Sequence, residues 1–175
     1  MARDQRLTGR VLPDMIILGL DPGLASTGFG AIFCGEKSAS LRAAGRIETL
    51  PRDPLAKRLG QVFEDINSLL VKLQPQLVAI ENVFSLVRYP KAGILLGEVL
   101  GIIYLSAHQR GLPILEITPR EVKNALVGSG SATKEQIKTA TQRILGIRDL
   151  TSLHAADAIA VALTAYYRKG YAEFA

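Results

Sequence analysis

The chain has 175 residues, of which 48% are apolar and 21% charged, which suits one globular domain and excludes a disordered or collagen-like protein. Its 21 Lys and Arg residues outnumber 16 Asp and Glu residues, and the resulting net charge of +5 favours a polyanionic partner. The single cysteine, Cys34, excludes an intrachain disulfide framework and fits a reducing compartment.

The apolar segments are too short for a typical membrane protein. The longest one, residues 93–107, is interrupted by Glu98, whereas a spanning helix needs about 20 mostly apolar residues. The apolar run at residues 15–20 is too short for the core of a signal peptide, and no small-residue cleavage site follows it. We therefore expect a cytoplasmic protein that does not contact a membrane.

The pattern of apolar residues predicts the order of helices and strands. Residues 1–14 are polar and aperiodic, which predicts a flexible extension ahead of a single domain at residues 15–175. Three strands, at residues 15–20, 27–34 and 40–48, have the spacing of an antiparallel meander. Helices at 54–72, 91–109, 120–127, 134–145 and 153–168 then accompany strands at 77–80 and 112–117. This order predicts an α/β fold, with a mixed five-stranded sheet flanked by helices.

Acidic residues stand at the ends of two buried strands. Asp21 follows the first strand and Glu81 follows the fourth, so both carboxylates share one edge of the sheet if these strands are neighbours. His154 and Asp157 lie three residues apart near the start of the last helix, and therefore on one face of it. Carboxylates that converge repel one another unless a cation neutralises them. Such oxygen ligands suit Mg²⁺ or Mn²⁺, and two such ions can promote phosphoryl transfer.

Each of these residues also has a purely structural interpretation. Asp21 precedes Pro and Gly, which is typical of a turn, and Glu81 could be a solvated strand end. Asp157 could complement the dipole of its helix, and His154 could be an ordinary residue of the first helical turn. Only their joint placement favours a metal site.

The predicted helix at residues 91–109 carries glycines four residues apart, at Gly93, Gly97 and Gly101. Each glycine costs a soluble helix about 1 kcal/mol relative to alanine, so close approach of another backbone would explain them. The other faces of the helix are also apolar. We infer a second buried interface, most simply a two-fold dimer; close packing on the chain's own sheet is the alternative.

Several motifs resemble those of one known family. ILGLDPGLASTGFG at residues 17–30 closely resembles the first strand of the RuvC family of Holliday-junction resolvases, and AIENVF at 79–84 its second acidic motif. TPREVK at 118–123, followed by VGSGSATK at 127–134, resembles its basic glycine-containing segment. HAADAIA at 154–160 resembles its last acidic motif. The motifs occur in order between about residues 15 and 167, which makes the resemblance specific.

The resemblance implies a ribonuclease-H-like fold and a homodimeric endonuclease that depends on Mg²⁺ or Mn²⁺. Such enzymes nick two opposed strands of four-way junction DNA in recombination and repair, and cooperate with a branch-migration motor of the RuvA and RuvB type. The catalytic, metal-binding set carried over by the motifs is Asp21, Glu81, His154 and Asp157. Many members have Asp where this chain has His154, although some have His.

The resemblance also assigns residues that contact DNA. Between residues 82 and 143 the chain has eight basic and four acidic residues, so most of its positive surplus lies there. Lys123 and Lys134 are expected to contact phosphates near the scissile strand. Phe84 is expected to help open the junction centre by stacking on a base. The alternatives are a solvated surface for the basic residues and core packing for Phe84.

Two other functions remain open on the sequence alone. An Asp-x-Gly turn after the first strand also occurs in phosphate-binding ATPases of the actin and sugar-kinase type, although 175 residues are too few for their duplicated domain. The chain could also be a non-catalytic module that recognises DNA structure, although its complete acidic set argues against this.

Overall fold

The computed structural model describes residues 14–36, 38–82, 90–148, 150 and 152–169, the last of these without its side chain. The predicted N-terminal extension, apart from Asp14, lies outside the described residues. Ten elements follow one another along the chain: β1 (Met15–Asp21), β2 (Ser26–Cys34), β3 (Ala39–Glu48), α1 (Leu55–Leu73), β4 (Leu77–Glu81), α2 (Pro90–His108), β5 (Ile114–Ile117), α3 (Pro119–Val127), α4 (Lys134–Leu145) and α5 (Leu153–Lys169).

The five strands form one mixed sheet in the order β3-β2-β1-β4-β5. The first three strands pair antiparallel, which confirms the predicted meander. β4 lies parallel to β1 and β5 lies parallel to β4. The predicted α/β fold with a mixed five-stranded sheet is confirmed, and β1 and β4 are neighbours, as a shared acidic edge requires.

Helices cover both faces of the sheet because successive side chains of a buried strand point in opposite directions. In β1, Ile17 packs in a cluster with α3, α4 and α5, whereas Leu18 and Leu20 pack in a second cluster with α1 and α2. In β4, Leu77 and Ala79 face the first cluster, and Val78 and Ile80 face the second. The result is a three-layered α/β/α arrangement.

The boundaries around β5 differ slightly from the prediction. The strand begins at Ile114 instead of residue 112, and Pro113 before it has no backbone N–H to donate. α3 begins one residue early because Thr118 and Glu121 form a capping box, with Pro119 in the first helical position. Thr133 and Gln136 form the same box at the start of α4.

One face of α2 packs on the core and another is open. Val99, Ile103 and Ala107 are buried, whereas 65% of Ile94 and 51% of Leu105 are exposed. A Cβ added at Gly97 or Gly101 would meet nothing within 4 Å, so the alternative that these glycines pack on the chain's own sheet is wrong. Among the described residues, α2 is long and apolar enough to cross a membrane by length and composition, so the expectation that the apolar segments are too short is wrong for this helix.

Candidate active site

The two strand-end carboxylates lie side by side. The last parallel pair of β1 and β4 is Leu20 with Ile80, so Asp21 and Glu81 each stand one residue further along. Both continue the set of side chains that faces α5, since residues two apart in a strand point the same way. The first turns of α5 therefore meet a pair of carboxylates.

Small residues let α5 lie directly on the sheet. A Cβ at Gly19 would overlap the carbonyl oxygen of Ala158, and one at Gly28 would overlap the carbonyl oxygen of His154. Gly28 is paired with Asp21 across β1 and β2. The absence of a side chain at Gly28 thus allows His154 to approach the strand end that carries Asp21.

Two contacts join the acidic edge to its surroundings. His154 Nδ1 lies 2.9 Å from Asp21 Oδ2, and Lys134 Nζ donates to Asp157 Oδ2 at 3.1 Å. The Asp21 and Asp157 side chains are 15% and 22% exposed, whereas His154 and Lys134 are 49% and 74% exposed. The two aspartates are therefore the enclosed members of the site, and the two nitrogen groups lie at its surface.

The electrostatics of Glu81 indicate a concentration of negative charge. Burial, followed by the charge and hydrogen bonding of Asp21 and the charge of Asp157, raises the pKa of Glu81 to about 7. The hydrogen bond and charge of Asp157 also raise the pKa of Lys134, which favours the charged form of this cation. The edge thus favours any cation that can stand among these carboxylates.

The donor set suits a divalent cation, although the described side chains do not already form a finished metal site. No three His, Cys, Asp or Glu side chains within the described ranges are grouped closely enough to hold an ion. In the protein alone, Asp21 contacts His154 and Asp157 contacts Lys134. Three carboxylates and an imidazole at one sheet edge nonetheless have the chemistry that Mg²⁺ or Mn²⁺ accepts.

A cleft of about 340 Å³ opens beside the acidic edge, and its walls include Glu81, Lys123, Lys134 and Asp157. The structure therefore brings both predicted phosphate-contacting lysines to the site. Phe84 lies outside the described residues, and its expected role stays a prediction.

Three residues behind Glu81 were not predicted from the sequence: Asn82, Tyr104 and Glu116. The Glu116 carboxylate accepts hydrogen bonds from Asn82 Nδ2 and from Tyr104 OH. The sequence signal that could have pointed to Glu116 is the order of the two buried strands. Their parallel pairing places Glu116 opposite Ile80, beside the end of β4.

Comparison with known proteins identifies the family. A family model described as crossover junction endodeoxyribonuclease RuvC matches residues 17–165. The chain belongs to the RuvC family. The RuvC of Hydrogenovibrio crunogenus is 38% identical over 149 residues, which cover 84% of each protein. That of Paraburkholderia phytofirmans is 40% identical over 149 residues, covering 85% of this chain and 82% of the relative.

A solved structure agrees with this assignment. The Thermus thermophilus RuvC in complex with Holliday junction substrate superposes with a TM-score of 0.83 at 32% identity, covering 89% of this chain and 95% of that one. As a RuvC-family protein, the chain is a DNA-binding, metal-dependent endonuclease of recombination and repair. Family membership also removes the ATPase and the non-catalytic module as alternatives.

Proposed function

We propose that the chain resolves four-way (Holliday) DNA junctions by paired nicking of opposed strands. The observation that carries the proposal is the meeting of Asp21 and Glu81 at the carboxyl edge of β1 and β4, under the start of α5, in a RuvC-family chain. A related RuvC has been solved in complex with a Holliday junction substrate. The substrate proposed here is the same.

Asp21, Glu81, His154 and Asp157 would hold the metal, which we propose to be Mg²⁺ or Mn²⁺, with two ions in each site. When bound, such ions supply an activated water and stabilise the negative charge that develops on the scissile phosphate. The chain's own contribution is to enclose Asp21 and Asp157 and to hold them on two elements packed directly together. This fixes the carboxylates before the substrate arrives.

Lys134 and Lys123 supply positive charge at the mouth of the cleft. In the protein alone, Lys134 offsets the charge of Asp157. Lys134 would be free to contact a DNA phosphate if Asp157 held a metal ion instead. Lys123 adds a second phosphate contact, and release of condensed counterions makes both contacts weaker as salt rises.

The open face of α2 supports a homodimer. Ile94 and Leu105 expose apolar surface there, Gly97 and Gly101 leave room for a second backbone, and 64% of Val71 on neighbouring α1 is also exposed. A two-fold dimer would bury this surface and present two active sites to the two opposed strands of a junction. Insertion of α2 into a membrane is less favourable than a dimer contact, because Val99, Ile103 and Ala107 would have to leave the core.

The setting proposed for this activity is the cytoplasm. The chain has one cysteine, Cys34, and therefore cannot form an intrachain disulfide, which fits a reducing compartment. A branch-migration motor of the RuvA and RuvB type is the proposed partner, on the strength of family resemblance.

The test is incubation of the purified chain with a labelled synthetic four-way junction and Mg²⁺ or Mn²⁺. We expect two nicks at symmetry-related positions on opposed strands, and no cutting of a linear duplex that contains the same sequence. Equal cutting of the duplex, or nicks on one strand only, would contradict junction resolution. The linear duplex is the matched control because it differs only in the branch.

A further inference from the structure

The end of β4 is held from the face of the sheet opposite the acidic site. Glu81 faces α5, so the next residue, Asn82, turns towards α1 and α2. Its backbone N–H donates to Ile117 O at 2.8 Å, which continues the β4–β5 pairing beyond the strand. Its side-chain amide donates to Glu116 Oε2. The residue after the catalytic glutamate is thus bound twice to β5.

Glu116 also reaches the following helix. Tyr104 OH, on α2, donates to Glu116 Oε1 at 2.5 Å, a length typical of a hydroxyl bonded to an ionised carboxylate. Burial and then the bond to Glu116 raise the pKa of Tyr104 to about 12, so the phenol keeps the proton that it donates. One carboxylate therefore ties together β4, β5 and α2.

The backbone of Glu116 is held in place as well. Glu116 stands opposite Ile80 in the parallel pairing, and its carbonyl oxygen accepts from the guanidinium of Arg168 at 3.2 Å. Arg168 also forms an ion pair with Glu121, at 3.2 Å, in the capping box of α3. β5 is thus fixed at the point from which Glu116 extends.

We propose that Glu116 is a positioning residue, which ties Asn82 to β5 and, through Tyr104, to α2, and so presents the adjacent Glu81 to the metal-binding edge. The inference rests on the proposed function, since it concerns how Glu81 is delivered to that site. Loss of the Asn82–Glu116 bond would let the end of β4 rotate. The Glu81 carboxylate would then leave the position where it meets Asp21.

The test uses a reciprocal exchange of the amide and the carboxylate. Asn82→Asp sets two carboxylates against each other and breaks the contact. The double variant Asn82→Asp/Glu116→Gln restores an amide–carboxylate pair, keeps an acceptor for Tyr104 OH, and has the net charge of the wild type. Tyr104→Phe removes one hydroxyl with little change in shape, and Glu64→Ala, at an exposed carboxylate of α1, is the neutral control.

The readouts are Mn²⁺ affinity by electron paramagnetic resonance without DNA, and junction affinity in EDTA. We expect Asn82→Asp to weaken Mn²⁺ binding about tenfold, at the low end of the range for groups that orient metal ligands. The Mn²⁺ affinity of the double variant should return to within about twofold of the wild-type value. The affinity of Tyr104→Phe should lie between those of Asn82→Asp and the wild type. Added negative charge alone would strengthen cation binding, so the expected direction distinguishes lost positioning from a charge effect.

The inference would be overturned if Asn82→Asp and Tyr104→Phe both bound Mn²⁺ as tightly as the wild type. It would also be overturned if the double variant bound Mn²⁺ no more tightly than Asn82→Asp. Circular dichroism establishes which variants are folded, and Tyr104→Phe decides the matter if Asn82→Asp is not. Failure of the wild-type protein to nick a junction would contradict the proposed function instead, while the Mn²⁺ measurements would still decide the role of Glu116.

Discussion

Burial and two neighbouring aspartates oppose ionisation of the Glu81 carboxyl. In the protein without metal, ionisation of Glu81 therefore lowers the free energy of unfolding. Because folding raises its pKa from 4.5 to about 7, the folded protein binds more protons than the unfolded chain between these pH values. Stability therefore falls as pH rises through this window, by on the order of 3 kcal/mol.

Glu81→Gln removes that penalty. In EDTA at pH 8 we expect the variant to melt several degrees above the wild type, because its amide cannot ionise, whereas at pH 4.5 the two should melt together. Thermal denaturation at both pH values checks this, and Glu64→Gln on the exposed side of α1 is the control. A difference that is the same at pH 4.5 and pH 8 would mean that Glu81 ionises normally in the folded protein.

His154 is the one nitrogen donor in an otherwise carboxylate set. Imidazole suits Mn²⁺ better than Mg²⁺, and a histidine in place of an aspartate also removes one negative charge. We therefore expect nicking to favour Mn²⁺ over Mg²⁺, and His154→Asp to move the ratio of the two rates towards Mg²⁺. Metal titrations of both proteins measure the ratio. An identical ratio would indicate that His154 acts through its 2.9 Å contact with Asp21 and not as a ligand.

Packing of α5 on the sheet depends on glycines that have no room for a side chain. Gly28→Ala would drive a methyl group into the carbonyl oxygen of His154 and move the start of α5. We expect a loss of stability of about 1–3 kcal/mol, as is typical of overpacked cores, together with reduced Mn²⁺ affinity.

Gly60→Ala is the matched control, because a Cβ at Gly60 in α1 meets nothing within 4 Å. It should stabilise the protein by about 0.5–1 kcal/mol through better helix propensity. Chemical denaturation measures both changes. Equal effects of the two substitutions would show that α5 does not need close contact with β2.

The elements themselves could be predicted because each has a local cause. Continuous apolar runs identify β1 and β4, and residues 55–73 repeat apolar side chains at intervals of three and four. The adjacency of Asp21 and Glu81 followed from the parallel pairing of their strands. The capping boxes at Thr118 and Thr133 also have a local signature, Thr followed three residues later by Glu or Gln.

Contacts between distant residues could not be predicted in the same way. Lys134 and Asp157 are separated by 23 residues, and Tyr104 and Glu116 belong to a helix and a strand with no shared pattern. Such pairs depend on how side chains meet after the layers have packed. The orientation of the acidic site was therefore predictable from strand alternation, whereas the groups that hold it in place were not.

Among the described residues, the cleft beside the acidic edge and the outer face of α2 are two of the surfaces that the fold leaves uncovered. Ile94→Glu would place a charge in the centre of the proposed dimer contact, and we expect it to weaken dimerisation at least about tenfold. Sedimentation across a range of concentrations measures this. Leu50→Glu is the control. Leu50 is also half exposed, but it follows β3, an edge strand of the sheet, and does not belong to α2. A monomeric wild type, or equal sedimentation of all three proteins, would contradict the dimer.

The central claim is that the acidic edge cuts junction DNA, while the basic residues around it bind the DNA. The most direct measurement compares Asp21→Asn with the wild type on one labelled four-way junction, with affinity measured by gel shift in EDTA and nicking measured in Mn²⁺. The account predicts that nicking is abolished while affinity and thermal stability stay near those of the wild type. Retained nicking, or a loss of affinity in step with the loss of nicking, would contradict it.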